Sequence, residues 1–166
     1  MIIFDASTLI LLAKIDILKI ITQAQKILVS KEVEMEATCR PEFLDAKIIS
    51  ELIKTGKIRV MKSKNHVLLK RLQEDFAIAE GEASVLLLAR RRQAVLATDD
   101  GQTIKACKVL GVKFVTAIHF LLMAYYKKKI NRELALVKLE RLKNLGRYSS
   151  MIISDAINKI EGRRGE

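Results

Sequence analysis

Apolar residues along the chain fall into two rhythms. Short apolar runs at Ile2 to Phe4, Ile27 to Val29, Ile58 to Met61, Ala94 to Thr98 and Phe114 to Val115 are too brief for helices and read as buried strands. Between them lie longer stretches whose apolar residues recur at helical spacing. Ile2 to Phe4 stops at Asp5, and Ser7-Thr8 opens the stretch Leu9 to Ile15, which gives strand, turn and helix. Ser30 fits the N-cap of a helix carrying Val33, Glu36 and Ala37. Pro41 is expected to start the next helix, where Phe43, Leu44, Ile48, Ile49, Leu52 and Ile53 share a face and Gly56 ends it. Val67 to Phe76 and Ala83 to Ala89 are expected to be helical, the second introduced by Gly81-Glu82. After Asp99-Asp100-Gly101, Ile104, Cys107, Lys108 and Leu110 predict a helix closed by Gly111.

Strands that alternate with helices pair in parallel through right-handed crossovers, which predicts a three-layer α/β/α domain with a central, mainly parallel sheet. From Ile118 onward the pattern is helical, with breaks near Asn131 and Gly146, and predicts a helical C-terminal extension. With 166 residues, 50% of them hydrophobic, one core should serve the whole chain. The expected organisation is a single domain over residues 1–166, with a core to about residue 125 and a helical appendage from about 126 to 166.

Charge narrows the partners. Thirty Lys and Arg against nineteen Asp and Glu leave a net +11, which favours polyanions such as nucleic acid. A membrane partner is not expected, because the uncharged stretch Phe114 to Tyr126 is shorter than the roughly 20 residues a spanning helix needs. The chain's start has no basic segment and meets an acid at Asp5, so no secretory signal is expected. Cys39 and Cys107 lack metal-ligand spacing and fit buried thiols in a reducing, cytoplasmic setting. Arg90-Arg91-Arg92, Lys127-Lys128-Lys129 and Lys62 with Lys64 are candidate phosphate contacts, although for any one cluster a solvated helix end is the favoured reading. With three Tyr and five Phe, and most Phe in apolar runs, backbone contacts should outweigh base stacking.

Position makes the acids informative. Asp5 follows the first strand and Asp99-Asp100 a later one, and ligands of open parallel sheets gather beyond strand C-termini. Glu36 and Glu82 fall near helix starts that could approach the same edge. Clustered carboxylates must either protonate or bind a cation, and oxygen ligands without His or Cys suit Mg²⁺ or Mn²⁺. Such a cation activates water and neutralises charge developing on a phosphate. Each acid also has a purely structural role open to it: Asp5, Asp99 or Asp100 as a helix cap, Glu36 as part of the charged surface with Glu32 and Glu34, and Glu82 as a favourable charge at a helix N-terminus. Other chemistry is thin. His66 and His119 are isolated, neither cysteine has a neighbouring base, and no glycine-rich phosphate loop is present.

Taken in order, the motifs resemble the PIN domain, a family of metal-dependent nucleases. Asp5-Ala6-Ser7-Thr8-Leu9-Ile10 is similar to its first motif, and Val29 to Glu36 to its second. Gly81-Glu82-Ala83-Ser84 is similar to the third and Ala97-Thr98-Asp99-Asp100 to the fourth, over residues 1 to about 125. The resemblance implies that Asp5, Glu36, Glu82 and one of Asp99 or Asp100 are catalytic and hold Mg²⁺ or Mn²⁺, with Ser7 and Thr98 as polar neighbours. The doubled acid leaves the fourth position open, and Ser30 stands where relatives often have proline. The implied activity is endonucleolytic hydrolysis of phosphodiester bonds, expected in single-stranded RNA. The alternative is a nucleic-acid-binding or partner-binding PIN-like module with little or no catalysis. Kinship with the toxins of toxin–antitoxin pairs would add an antitoxin protein and a second copy of the chain as partners. The helical tail, however, is closer to the less characterised prokaryotic branch than to the compact toxins.

Overall fold

The computed structural model describes residues 1–62 and 65–162, so Lys64 of the predicted Lys62 and Lys64 pair lies outside the described residues. Five strands pair in parallel: β1 (Ile2–Phe4), β2 (Ile27–Ser30), β3 (Ile58–Met61), β4 (Val95–Ala97) and β5 (Phe114–Val115), in the order β3-β2-β1-β4-β5. Ile3 of β1 stands level with Leu28 of β2 and Leu96 of β4, and all three are buried, as the central strands of a sheet covered on both faces should be.

Among the described residues the helices are α1 (Ala6–Lys14), α2 (Leu18–Ala24), α3 (Lys31–Thr38), α4 (Leu44–Lys54), α5 (His66–Phe76), α6 (Glu80–Arg92), α7 (Gly101–Leu110), α8 (Ala117–Tyr126), α9 (Arg132–Leu145) and α10 (Ser150–Glu161). On one side α6 packs against β1, β2 and β4, with α5 and α7 beside it. On the other, Phe120 of α8 stacks on Phe4 of β1 at 5.0 Å between ring centroids, and α1, α2 and α9 pack around α8. The three-layer α/β/α arrangement expected from the alternation is the observed one, with every strand pair parallel. Strand order reverses between β1 and β4, so the crevice for a ligand opens beyond the ends of those two strands.

Three points of the sequence reading need correction. Pro41 does not open a helix: residues 40–43 make a turn, closed by Phe43 N–H to the Arg40 carbonyl at 3.1 Å, and α4 begins at Leu44. Helix α2 is a separate element that the apolar pattern did not reveal, because Asp16 turns the chain through a left-handed conformation at φ 58° before Leu18. Cys39 is exposed at the end of α3, whereas Cys107 is buried as expected. The helical C-terminal extension packs into the core, with Ala135, Leu139, Leu142, Ile153, Ala156 and Ile160 in the same buried cluster as β1. Among the described residues no helix is long and apolar enough to cross a membrane.

Candidate active site

The first acid is set by the end of β1. Asp5 is 1% exposed, and its N–H bonds the Ala97 carbonyl of β4, so the backbone continues the sheet for one more residue before α1 begins. Its carboxylate caps α1 by accepting from Thr8 N–H at 2.8 Å, and Ser7 Oγ donates to both carboxylate oxygens at 3.0 Å. The buried Thr98 hydroxyl, one residue past β4, donates to Asp5 Oδ2. Burial pushes the Asp5 carboxyl up to about 7, against the opposing effect of the Thr98, Thr8 and Ser7 hydrogen bonds, and the charge of Asp99 adds to the rise.

The doubled acid divides its work between two directions. Asp100 caps α7, accepting from Thr103 N–H at 2.7 Å and Thr103 Oγ1 at 2.8 Å. Asp99 turns inward instead. Its Oδ2 accepts from Thr8 Oγ1 at 2.7 Å and from Ala117 N–H, at the start of α8, at 2.9 Å, and its Oδ1 accepts from the Tyr148 hydroxyl at 2.5 Å. Burial raises the Asp99 carboxyl, and the hydrogen bonds from Tyr148, Thr8 and Ala117 oppose that rise. Thr8 therefore joins the two aspartates, its N–H bonded to Asp5 and its hydroxyl to Asp99.

The glutamates approach from two helices. Glu36 lies on α3 and Glu82 in the first turn of α6, and Glu36 is raised by burial and by the nearby Glu82 charge. Gly81 makes the approach possible, because a Cβ there would lie 2.9 Å from Glu36 Oε2. Among the described residues Glu82 Oε2 is buried without a hydrogen-bond partner. Such an orphan costs free energy unless something supplies a positive partner. Glu32, one turn before Glu36 on α3, has an oxygen in the same condition, which the reading of Glu32 as surface charge did not anticipate.

Ser7, Glu82, Asp99 and Asp100 line one cleft of about 660 Å³, and Lys14, Lys105 and Arg147 line it with them. The acids stand as two pairs: Asp5 with Asp99, and Glu36 with Glu82. Among the described residues no three Asp, Glu, His or Cys side chains converge closely enough to hold a metal as they stand. The donor set nevertheless fits a hard dication in kind: carboxylate oxygens, no sulfur or imidazole among them, and one buried oxygen without a partner.

The predicted basic clusters lie elsewhere. Arg90, Arg91 and Arg92 end α6, whose first turn carries Glu82; at 1.5 Å per residue that is on the order of 13 Å along the helix from the acid. Arg91, Arg92 and Lys62 border a different cavity, of about 340 Å³, between α6 and the end of β3. Lys127, Lys128 and Lys129 follow the C-terminus of α8, the end opposite the one that bonds Asp99. Sequence reasoning missed Thr8, Lys14, Lys105, Arg147 and Tyr148. Thr8 sits inside the first motif and was within reach. Tyr148 is 49 residues from Asp99 and carries no local signal.

With two aspartates at the switch point of a five-stranded parallel sheet and Glu82 lining the same cleft as Asp99, the fold is that of a nuclease-type α/β domain. A family model described as PIN domain matches residues 1–162, and the chain belongs to that family. The match includes the helical tail, beyond the roughly 125 residues that the motifs span. No curated protein matches the sequence.

Proposed function

We propose that the protein is a divalent-metal-dependent endonuclease that hydrolyses phosphodiester bonds in single-stranded RNA. The observation that carries it is the cleft that Asp99 and Glu82 line together with Lys14, Lys105 and Arg147, beside a buried Glu82 oxygen that has no partner among the described residues. Asp5, Asp99, Glu82 and Glu36 are the residues that would hold Mg²⁺ or Mn²⁺. Such a cation, when bound, lowers the pKa of water and offsets charge developing on a phosphate. The chain's own residues do the rest. Thr8, Thr98 and Ser7 hold the aspartates in fixed orientations, so that no reorganisation of the carboxylates is needed when a substrate arrives. Lys14, Lys105 and Arg147 neutralise phosphates flanking the scissile bond and fix the strand's register along the cleft. Asp100 stays with its helix cap and takes no direct part.

The test is a labelled single-stranded RNA incubated with purified protein in Mg²⁺, Mn²⁺ or chelator. Cleavage that requires the metal and disappears in chelator is expected. Undiminished cleavage in chelator would contradict the metal reading. RNA binding without cleavage under every metal condition would favour the non-catalytic module, for which the full engagement of the Asp5 and Asp99 oxygens by hydroxyl donors is the supporting observation.

A further inference from the structure

Asp99 is held unequally. Its Oδ2 has two donors fixed by the core, Thr8 Oγ1 and Ala117 N–H. These suffice to set the orientation of the carboxylate. Its Oδ1 accepts from a residue of the tail, Tyr148, in the connection between α9 and α10. That connection is delivered to the site by α9. Buried Lys138 bonds the Ile15 carbonyl at 2.5 Å, and Arg141 bonds the Lys14 carbonyl at 2.7 Å, so two basic side chains of α9 cap the C-terminal end of α1. Asp5 caps the other end of the same helix. Further along, Leu145, Gly146 and Arg147 form one wall of the acidic cleft. Tyr148 folds back over Gly146, where a Cβ would overlap the phenol ring and lie 3.1 Å from the Leu142 carbonyl.

Resting on the metal-dependent reading above, we propose that Tyr148 is a latch: its hydroxyl occupies the open oxygen of Asp99, and a divalent cation binds by taking that oxygen from it. A phenolic proton and a hard dication draw on the same electron density of Oδ1, and the hydrogen bond to an ionised carboxylate is of the strong, charge-assisted kind. In the latch, metal binding displaces the hydroxyl and releases the α9–α10 connection, with Arg147, from the cleft wall. Ordering of the tail and occupancy of the site oppose each other.

The experiment titrates the full chain with Mn²⁺ by calorimetry and follows amide hydrogen exchange at residues 146–149. Tyr148→Phe keeps the ring over Gly146 and removes the hydroxyl, so Mn²⁺ should bind roughly tenfold more tightly than to the parent, the worth of one hydrogen bond to a charged group. In the parent, saturating Mn²⁺ should speed exchange at 146–149. Gly146→Ala, which pushes the ring away without touching the hydroxyl, should raise affinity in the same direction and carries the test if the first variant fails to fold. Equal or weaker Mn²⁺ binding by the variants, or slower exchange on metal addition, would overturn the latch while leaving the metal reading intact. A parent that binds no Mn²⁺ beside a Phe variant that does would support the latch in its strongest form. Silence from all three chains would overturn both.

Discussion

The two carboxylate pairs of the site are built in opposite ways. Asp5 and Asp99 are short side chains on the ends of adjacent strands, tied into the fold by Ser7, Thr8, Thr98, Ala117 and Tyr148. Glu36 and Glu82 are long side chains on separate helices, and Glu82 leaves a buried oxygen with no partner among the described residues. The aspartate pair spends hydrogen bonds to stand in place; the glutamate pair stores repulsion. Strands set position and helices set charge: the sheet fixes where the aspartates stand, and Glu36 and Glu82 bring two carboxylates close enough to raise Glu36.

The largest effect that would break this comparison is on cleavage. Asp5→Asn should lower metal-dependent RNA cleavage by more than the roughly 10- to 100-fold that loss of an outer partner of a metal site costs. Single-turnover assays on labelled RNA would measure it, and a smaller loss would move Asp5 from chemistry to capping.

The same substitution has a separate consequence for the metal-free protein. Asp5 titrates at about 7 in the fold against an ordinary value of 3.8, so the unfolded chain gives up this proton first as pH rises. Its contribution to stability is full below about pH 4, falls as pH climbs through about 7, and is flat above; by the size of the shift the fall is on the order of 4 kcal/mol. Asp5→Asn should abolish that slope and match or exceed the parent's melting temperature at pH 8. Asn keeps the cap to Thr8 N–H and sheds the buried charge. Melts in chelator from pH 4 to pH 8 would show a parallel decline in both proteins if this assignment were wrong.

The glutamate pair calls for a gentler perturbation. Glu82→Gln removes the charge beside Glu36 and gives the orphaned position an amide that can donate. The metal-free protein should gain up to about 1 kcal/mol, the scale of one recovered hydrogen bond. Denaturant melts would detect that, and a loss of stability would mean that Glu82 has a stabilising partner in solution. Smallest is the effect on binding. Replacing Lys14, Lys105 and Arg147 with Ala should flatten the log–log dependence of RNA affinity on salt by about 0.7 per phosphate contact. Alanine at Arg90, Arg91 and Arg92 should leave it unchanged; the reverse result would place the RNA along α6.

Much of this was legible in the chain because local rules governed it. Ser30 caps α3, Asn131 caps α9 and Gly111 closes α7 at φ +67°, each where the pattern of caps and breakers predicted an element boundary. The alternation of strands and helices gave the parallel sheet, and with it the edge where Asp5 and Asp99 meet. What escaped depends on distant contacts. Asp99 and Asp100 are told apart by Thr103 on one side and by Thr8, Ala117 and Tyr148 on the other, and residues 18 and 49 positions away leave no periodic trace. The basic clusters stand out in the sequence by density of charge, and they follow the C-terminal ends of α6 and α8, the ends opposite those nearer the acids. Lys14, Lys105 and Arg147, isolated in sequence, converge only in the fold.

The neighbouring aspartates offer the most direct measurement, since they share a backbone and differ in what they face. Asp99→Asn and Asp100→Asn should both fold, and each should be melted with and without Mn²⁺ and assayed on RNA. A ligand at 100 times its Kd stabilises the folded state by about 2.7 kcal/mol. Asp100→Asn should keep that response and its cleavage, because Asn caps α7 as Asp does. Asp99→Asn should lose both. Retention of the metal response and cleavage by Asp99→Asn, or their loss in Asp100→Asn alone, would contradict the site described.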